Sequence, residues 1–336
     1  MKRAKPLSSI DPFLIWLTLA VIAATLLPAC GAMAAAFGWL ADIAIALLFF
    51  LHGAKLSREA IVQGMGNWRL HGLVLASTYV LFPALGLAMM RACGAWLSPL
   101  LGSGMLFLTL LPSTVQSSIA FTAMARGNVA AAVCSASLSN LLGIVLTPLL
   151  VGLLMQAGDH GSLSPLSSIK AIAVQLLLPF AAGHLLRPLI SGFIDRNKAI
   201  FMPVDRGSIL LVVYTAFSAA QINGMWTRVG WIDLLALFGI SAVLLAIVMA
   251  ANMLIAGLVK LPREDAIVLL FCGSKKSLVS GVPMAGALFA PGQVGQIVLP
   301  LMIFHQLQLV LCAAIAARFS READLLDKAD AATGKL

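Results

Sequence analysis

Two adjacent lysines, Lys275 and Lys276, stand in the segment LLFCGSKKSLVSGVP (269–283), which otherwise reads as lipid-soluble. An ammonium group at the centre of a bilayer costs about 2.5–3.5 kcal/mol on insertion scales. Two neighbours persist there only if they are solvated, paired or hydrogen-bonded. Gly273, Ser274, Ser277, Ser280, Gly281 and Pro283 surround them. A second polar cluster, Pro112, Ser113, Thr114, Gln116, Ser117 and Ser118, lies in LLPSTVQSSIAF (110–121). Proline removes a backbone donor and glycine tolerates unwound geometry, so both segments should break and release backbone groups. Hydroxyls, freed carbonyls and ammonium groups make a place that holds ions or their substitutes. Enzymatic patterns are absent: there is no HExxH, no paired intramembrane Asp, no Gly-x-Ser-x-Gly with an acid and a His, and no phosphate-binding GxxxxGK[ST].

The elements that must position these residues follow from composition. The 336-residue chain is 61% hydrophobic and 10% charged, with a mean hydropathy of +1.01. Soluble domains carry about 25% charged residues, so most of this chain meets lipid or other buried helices. Ten apolar stretches are long enough to span a bilayer: about 12–28, 36–53, 70–90, 99–125, 129–155, 166–189, 207–223, 231–259, 265–290 and 293–317. Alternating ten-residue strands are missing, which argues for a helical bundle over a β-barrel. The fold expected is an all-α polytopic membrane protein forming one transporter domain over 1–336.

The net charge of +9 is an orientation signal rather than a nucleic-acid footprint. With the N-terminus in the cytoplasm, 17 of the 22 Lys and Arg residues fall on the cytoplasmic side and 3 on the other. The positive-inside rule then puts both termini in the cytoplasm, and a bacterial inner membrane is the expected location. The five cysteines lie in or beside the spans without metal or disulfide spacing and read as packing residues. LLPAC, ending at Cys30, loosely resembles a lipoprotein cleavage box. Asp11, Pro12 and Pro28 around the apolar run favour a retained first helix.

The halves of the chain match weakly but in order. ADIAIALLFFLHGAKL (41–56) parallels DRGSILLVVYTAFSAAQI (205–222), and LLPSTVQSSIAF (110–121) parallels LLFCGSKKSLVS (269–280). Each pair is five spans apart, and an odd number of spans per repeat inverts the second half in the membrane. The repeats run over 10–155 and 166–320, followed by a cytoplasmic tail, 321–336. Paired breaks in the fourth and ninth spans mark the expected transport site.

At LLPSTVQSSIAFTAMARGNVAAAVCSASLSNLLGIVLTPLL (110–150) and FCGSKKSLVSGVPMAGALF (271–289) the chain resembles the bile acid:sodium symporter family, in its SBF-like branch of bacterial and eukaryotic proteins. The resemblance covers roughly 10–320. It implies ten helices in two inverted five-helix repeats, with broken fourth and ninth helices that cross. Helices 3–5 and 8–10 would form a core and helices 1, 2, 6 and 7 a panel. Substrate would bind between core and panel, and two sodium ions behind the crossover.

The sodium positions are where this chain departs. Ser117 and Ser118 take the place of the family's Ser-Asn pair. The hydroxyl positions of the fifth helix fall on Ala132 and Ala136, with Ser135, Ser137, Ser139 and Asn140 nearby. The glutamate of the ninth helix falls near Phe271 or Cys272, and Lys275 matches the glutamine of the second site. Ser117, Ser118 and Ser139 remain as possible residual sodium ligands. Lys275 is expected to act as a tethered substitute for the ion, with Lys276 facing the substrate cavity or the second half of the fourth helix. No cofactor is expected, and a proton stands beside sodium as a possible coupling ion. The expected function is secondary active transport of a small organic anion across the bilayer, with a cation/proton antiporter or a non-transporting regulator as alternatives.

Plainer readings attach to several residues. Ser113, Thr114, Gln116, Ser117, Ser118, Ser135, Ser139 and Asn140 could be interhelical packing groups. Asp42 reads as an interfacial helix cap more than as a proton carrier. His305, Gln306 and Asn252 read as structural hydrogen-bonding residues, and the stretch from Arg318 as a solvated terminus.

Overall fold

The computed structural model describes residues 12–55, 67–93, 96–155 and 176–332. Every regular element among them is a helix: α1 (Pro12–Leu26), α2 (Gly31–Lys55), α3 (Trp68–Ala76), α4 (Phe82–Cys93), α5 (Pro99–Leu110), α6 (Gln116–Met124), α7 (Val129–Leu154), α8 (Leu178–Arg196), α9 (Lys198–Ile222), α10 (Met225–Arg228), α11 (Trp231–Leu258), α12 (Arg263–Gly273), α13 (Leu278–Leu288) and α14 (Pro291–Ala332). Six of these stretches are long and apolar enough to cross a membrane: 31–54, 68–92, 129–154, 231–258, 263–288 and 291–325. Shorter apolar helices occupy 15–26, 99–110 and 206–222. The first ten residues of the stretch expected at 166–189 lie outside the described residues, and most of the rest falls within α8.

α3 and α4 form one continuous helix through a π-helical turn, Ser77–Leu81. Pro83 explains the widening, because it has no N–H to give to the Tyr79 carbonyl. α2 lies against α8 and α9, and α1 against α9. The α2–α8 contact is very close: a Cβ on Gly53 would stand 2.1 Å from the Phe180 carbonyl oxygen, and one on Gly183 2.0 Å from that of Phe50. Reciprocal glycines of this kind let membrane helices approach backbone to backbone.

The 99–125 and 265–290 stretches are each interrupted. α5 stops at Leu110, and Leu111 turns extended (φ −79°, ψ 157°) because Pro112 excludes the helical conformation from the residue before it. Helix resumes at Gln116 in α6. α12 ends at Gly273, and α13 begins at Leu278 with Ser277 as its N-cap, its hydroxyl accepting from the Ser280 N–H at 3.1 Å. The α12–α13 segment is sheathed by protein. Within its apolar window 94% of the residues are buried, against 33–50% in the other five spans. The polar break is thereby shielded from lipid.

α14 runs well past the apolar stretch expected at 293–317. An Arg318–Glu322 pair one turn apart supports the extension. Arg126, at a positive φ of 57° between α6 and α7, pairs with Asp324, and the Arg263 guanidinium donates to the Phe319 carbonyl at 3.2 Å. From Arg318 to Ala332 the chain continues as helix with most of its described side chains exposed, and arginines next to α6 and at the start of α12 reach Asp324 and Phe319.

Candidate functional site

A broken helix leaves its last carbonyls without intrahelical donors, and the two breaks solve this for each other. At the end of α12, four successive carbonyls are met by serine hydroxyls. Ser274 donates to the Leu270 oxygen, Ser118 to Phe271 at 3.1 Å, Ser113 to Cys272 at 2.6 Å and Ser77 to Gly273 at 2.9 Å. Two of those serines come from the α5–α6 break or its edge, and Ser77 comes from the π-helical turn.

At the end of α5 the donor is Lys276. Its Nζ lies 2.8 Å from the Thr109 oxygen, 2.7 Å from Leu111 and 2.9 Å from Thr78, and 4.1 Å from the centroid of the Phe82 ring. Three carbonyl acceptors use all three ammonium hydrogens. A positive charge at a helix C-terminus is also the sign that the helix dipole favours. Thr147 covers the Leu110 carbonyl at 2.8 Å, and the Ser277 N–H bonds the Pro112 oxygen at 2.9 Å, tying the breaks together by backbone. Gln308 of α14 clamps Lys276 from behind, accepting from its N–H and donating to its carbonyl, both at 2.9 Å.

Lys275 is held differently. Its Nζ is 3.5 Å from the Ser117 hydroxyl, 4.0 Å from the Phe121 ring centroid and 5.5 Å from that of Phe271. Aromatic faces attract a cation through their quadrupole. Both lysines are completely buried. Among the described residues, no carboxylate pairs with either.

The sequence reading gave the carbonyls and hydroxyls to Lys275 and turned Lys276 toward a cavity or the second half of the fourth helix. Instead Lys276 takes the carbonyls freed at the end of α5 and that of Thr78 in the π-helical turn, and Lys275 lies against Ser117 and Phe121 of that second half. Ser139 enters the crossover: its hydroxyl accepts from the Ser113 N–H at 3.0 Å, and its carbonyl accepts from the Tyr79 hydroxyl at 2.6 Å. Asn140 bridges the breaks, donating to the Ser113 carbonyl at 3.4 Å and accepting from the Ser280 hydroxyl at 2.8 Å. Thr114 is within 3.0 Å of Ser117 and 3.1 Å of Ser118. Ser135 instead faces His71, at 2.7 Å from Nδ1, and Gln116 is exposed on α6. Those two stand apart from the lysines.

Sequence reasoning missed Thr78, Thr109, Tyr79, Thr147 and Gln308. It singled out Gln306, which is exposed, while Gln308 is buried two residues further along α14. A helical phase count from buried Phe304 would have favoured Gln308, four residues on.

As a donor set the crossover does not fit a sodium ion. Sodium needs several converging oxygens, and here the carbonyls and hydroxyls are spent on an ammonium group, on one another and on the helix end. A second cation beside Ser117 would also face Lys275 at short range.

A family model for the SBF-like CPA transporter family matches residues 11–321. The chain is 54% identical over 315 residues to an uncharacterized protein of Pseudomonas aeruginosa, covering 94% of each chain. It is 53% identical over 317 residues to the putative symporter YfeH of Escherichia coli, covering 94% of this chain and 95% of the relative. Sodium/bile acid cotransporter 7 of Mus musculus is 28% identical over 276 residues, covering 80% of this chain and 79% of that one.

Proposed function

The chain belongs to the SBF-like CPA transporter family, and from that premise we propose that it moves a small organic solute by alternating access, with built-in ammonium groups in place of sodium. The chain is an integral membrane protein of the bile acid:sodium symporter type. We read its helices as ten spans in two inverted repeats. α1, α2, α3–α4, α5–α6 and α7 form one, and α8, α9, α11, α12–α13 and α14 the other. The 17-to-3 division of basic residues supports an inner-membrane orientation with both termini in the cytoplasm.

The observation that carries the proposal is Lys276 of the α12–α13 break, whose ammonium rests on two carbonyls at the end of α5 and one in the π-helical turn. An ion that binds and leaves can couple to a gradient; a tethered one is a fixed part of the hinge. Lys275, with a single long hydroxyl contact and two ring faces, is free to exchange its proton in the cycle. Proton coupling, or transport that needs no ion gradient, follows from this division of roles.

The organic anion expected from the sequence drew its support from ammonium groups facing substrate. Both are held within the protein, so they bear on coupling and not on the sign of the solute. The alternative of cation/proton exchange gains from Asp42, a carboxylate lining a cavity beside α13.

The test is uptake of a panel of organic anions and cations into proteoliposomes under a sodium gradient, a proton gradient or neither, in wild type and Lys275→Gln. We expect uptake indifferent to sodium, with any proton-driven component lost in Lys275→Gln. Sodium-driven uptake untouched by that substitution would overturn the proposal.

A further inference from the structure

A cavity of about 420 Å³ lies away from the crossover, between α2, α9 and the α13–α14 junction. Its size falls within the roughly 300–1,000 Å³ of small-molecule sites. Most of the wall is small and aliphatic, with Gly38, Ala41, Ala216 and Gly286 among its residues. The polar groups are Asp42, Thr215, Ser218 and Asn223, and the lining has no lysine, arginine or aromatic ring.

Their bonding state is informative. The Ser218 side chain is 2% exposed, and its hydroxyl has no hydrogen-bond partner. A buried hydroxyl left this way is costly unless something else satisfies it. Asp42 forms no ion pair among the described residues. The Asn223 amide is let into the cavity by Gly292, where a Cβ would stand 2.1 Å from Nδ2. The cavity thus offers one exposed carboxylate on α2 and one exposed amide at the end of α9, and the Ser218 hydroxyl lies behind its wall.

We infer that this cavity binds a small organic cation, an ammonium group on Asp42 with a hydroxyl or carbonyl reaching Asn223. An organic anion would place like charges together at Asp42. A bare metal ion would need several converging oxygens, and among the described residues no group of three His, Cys, Asp or Glu could hold one. The inference deepens the transport reading by naming the class of solute, and rests on it for the cavity's role in a cycle. Binding itself can be measured independently.

The experiment uses the full chain purified in detergent and a series of alkyltrimethylammonium ions, choline among them. Neutral carbon isosteres such as 3,3-dimethylbutanol and the anion taurocholate serve as comparisons. Binding is read by calorimetry in wild type, Asp42→Asn and Asn223→Ala. We expect the cations to bind in preference to their isosteres, and Asp42→Asn to weaken them roughly tenfold or more while leaving the isosteres unchanged. Asn223→Ala should weaken only members that carry a hydroxyl. Cations and isosteres binding alike, cation binding indifferent to Asp42→Asn, taurocholate binding that Asp42→Asn strengthens, or no binding across the series would each overturn the inference. If cations bind as expected yet proteoliposomes move none of the panel, the transport reading falls and the site stands. If transport proceeds and Asp42→Asn leaves its selectivity intact, the site falls and transport stands.

Discussion

The crossover and the α2–α9 cavity are both polar places inside an apolar bundle, and they differ in how their polar groups are spent. At the crossover the α12 end carbonyls and the Lys276 ammonium meet partners from the same chain. At the cavity Asp42 is exposed with no cationic partner among the described residues, and the Ser218 hydroxyl behind its wall is unclaimed. A satisfied network fixes geometry, because each member holds the next. An unsatisfied set of groups is poised for a ligand. Side-chain polarity alone would have marked both as binding sites, and the accounting is incomplete at the crossover too, where the buried Asn252 amide beside Gly273 has no partner among the described residues.

The comparison breaks most visibly at Lys276. Lys276→Met keeps the stem but leaves the Thr78, Thr109 and Leu111 carbonyls without their donor, each unpaired group costing about 1–3 kcal/mol. We expect a loss of about 3 kcal/mol or more, read as a collapse in thermal stability of the detergent-solubilised protein. A variant as stable as wild type would mean those carbonyls find other donors. A smaller effect is expected from Ser113→Ala, which strips the Cys272 carbonyl of its 2.6 Å bond. Interhelical bonds in membranes are modest, so roughly 1 kcal/mol of destabilisation should appear in unfolding measurements. The same chemical change behind the cavity wall should act with the opposite sign. Ser218→Ala removes a buried hydroxyl that has no partner, so stability should stay level or rise, by under about 1 kcal/mol. Equal losses from the two serines would erase the distinction between the regions.

Much of the architecture was legible. A break at Leu111 follows from Pro112 alone, and the second break from Gly273 and the polar run behind it. The pairing of those breaks was visible in the order of the two polar segments. Less visible was which lysine would take the carbonyls. Adjacent residues at a break point in different directions, and the choice depended on the end of α5 and on the π-helical turn at Ser77–Leu81, the latter almost two hundred residues away. Ser135 and Gln116 show the limit from the other side. Both sit in polar clusters, yet one faces His71 and the other is exposed. The cavity was the least legible part, since Asp42 reads as a cap near the start of the stretch expected at 36–53, whereas α2 begins at Gly31 and carries Asp42 in its interior.

By itself the sequence determined that this chain is a helical membrane protein, because a chain with 10% charged residues and apolar runs of spanning length has no other solvent in which to fold. It also determined where two helices must break, because proline and glycine act on the backbone next to them. Only the tertiary structure decided what the freed groups would touch. A carbonyl or ammonium finds its partner through space, and that partner is supplied by whichever helix the packing of the whole bundle brings within about 3 Å.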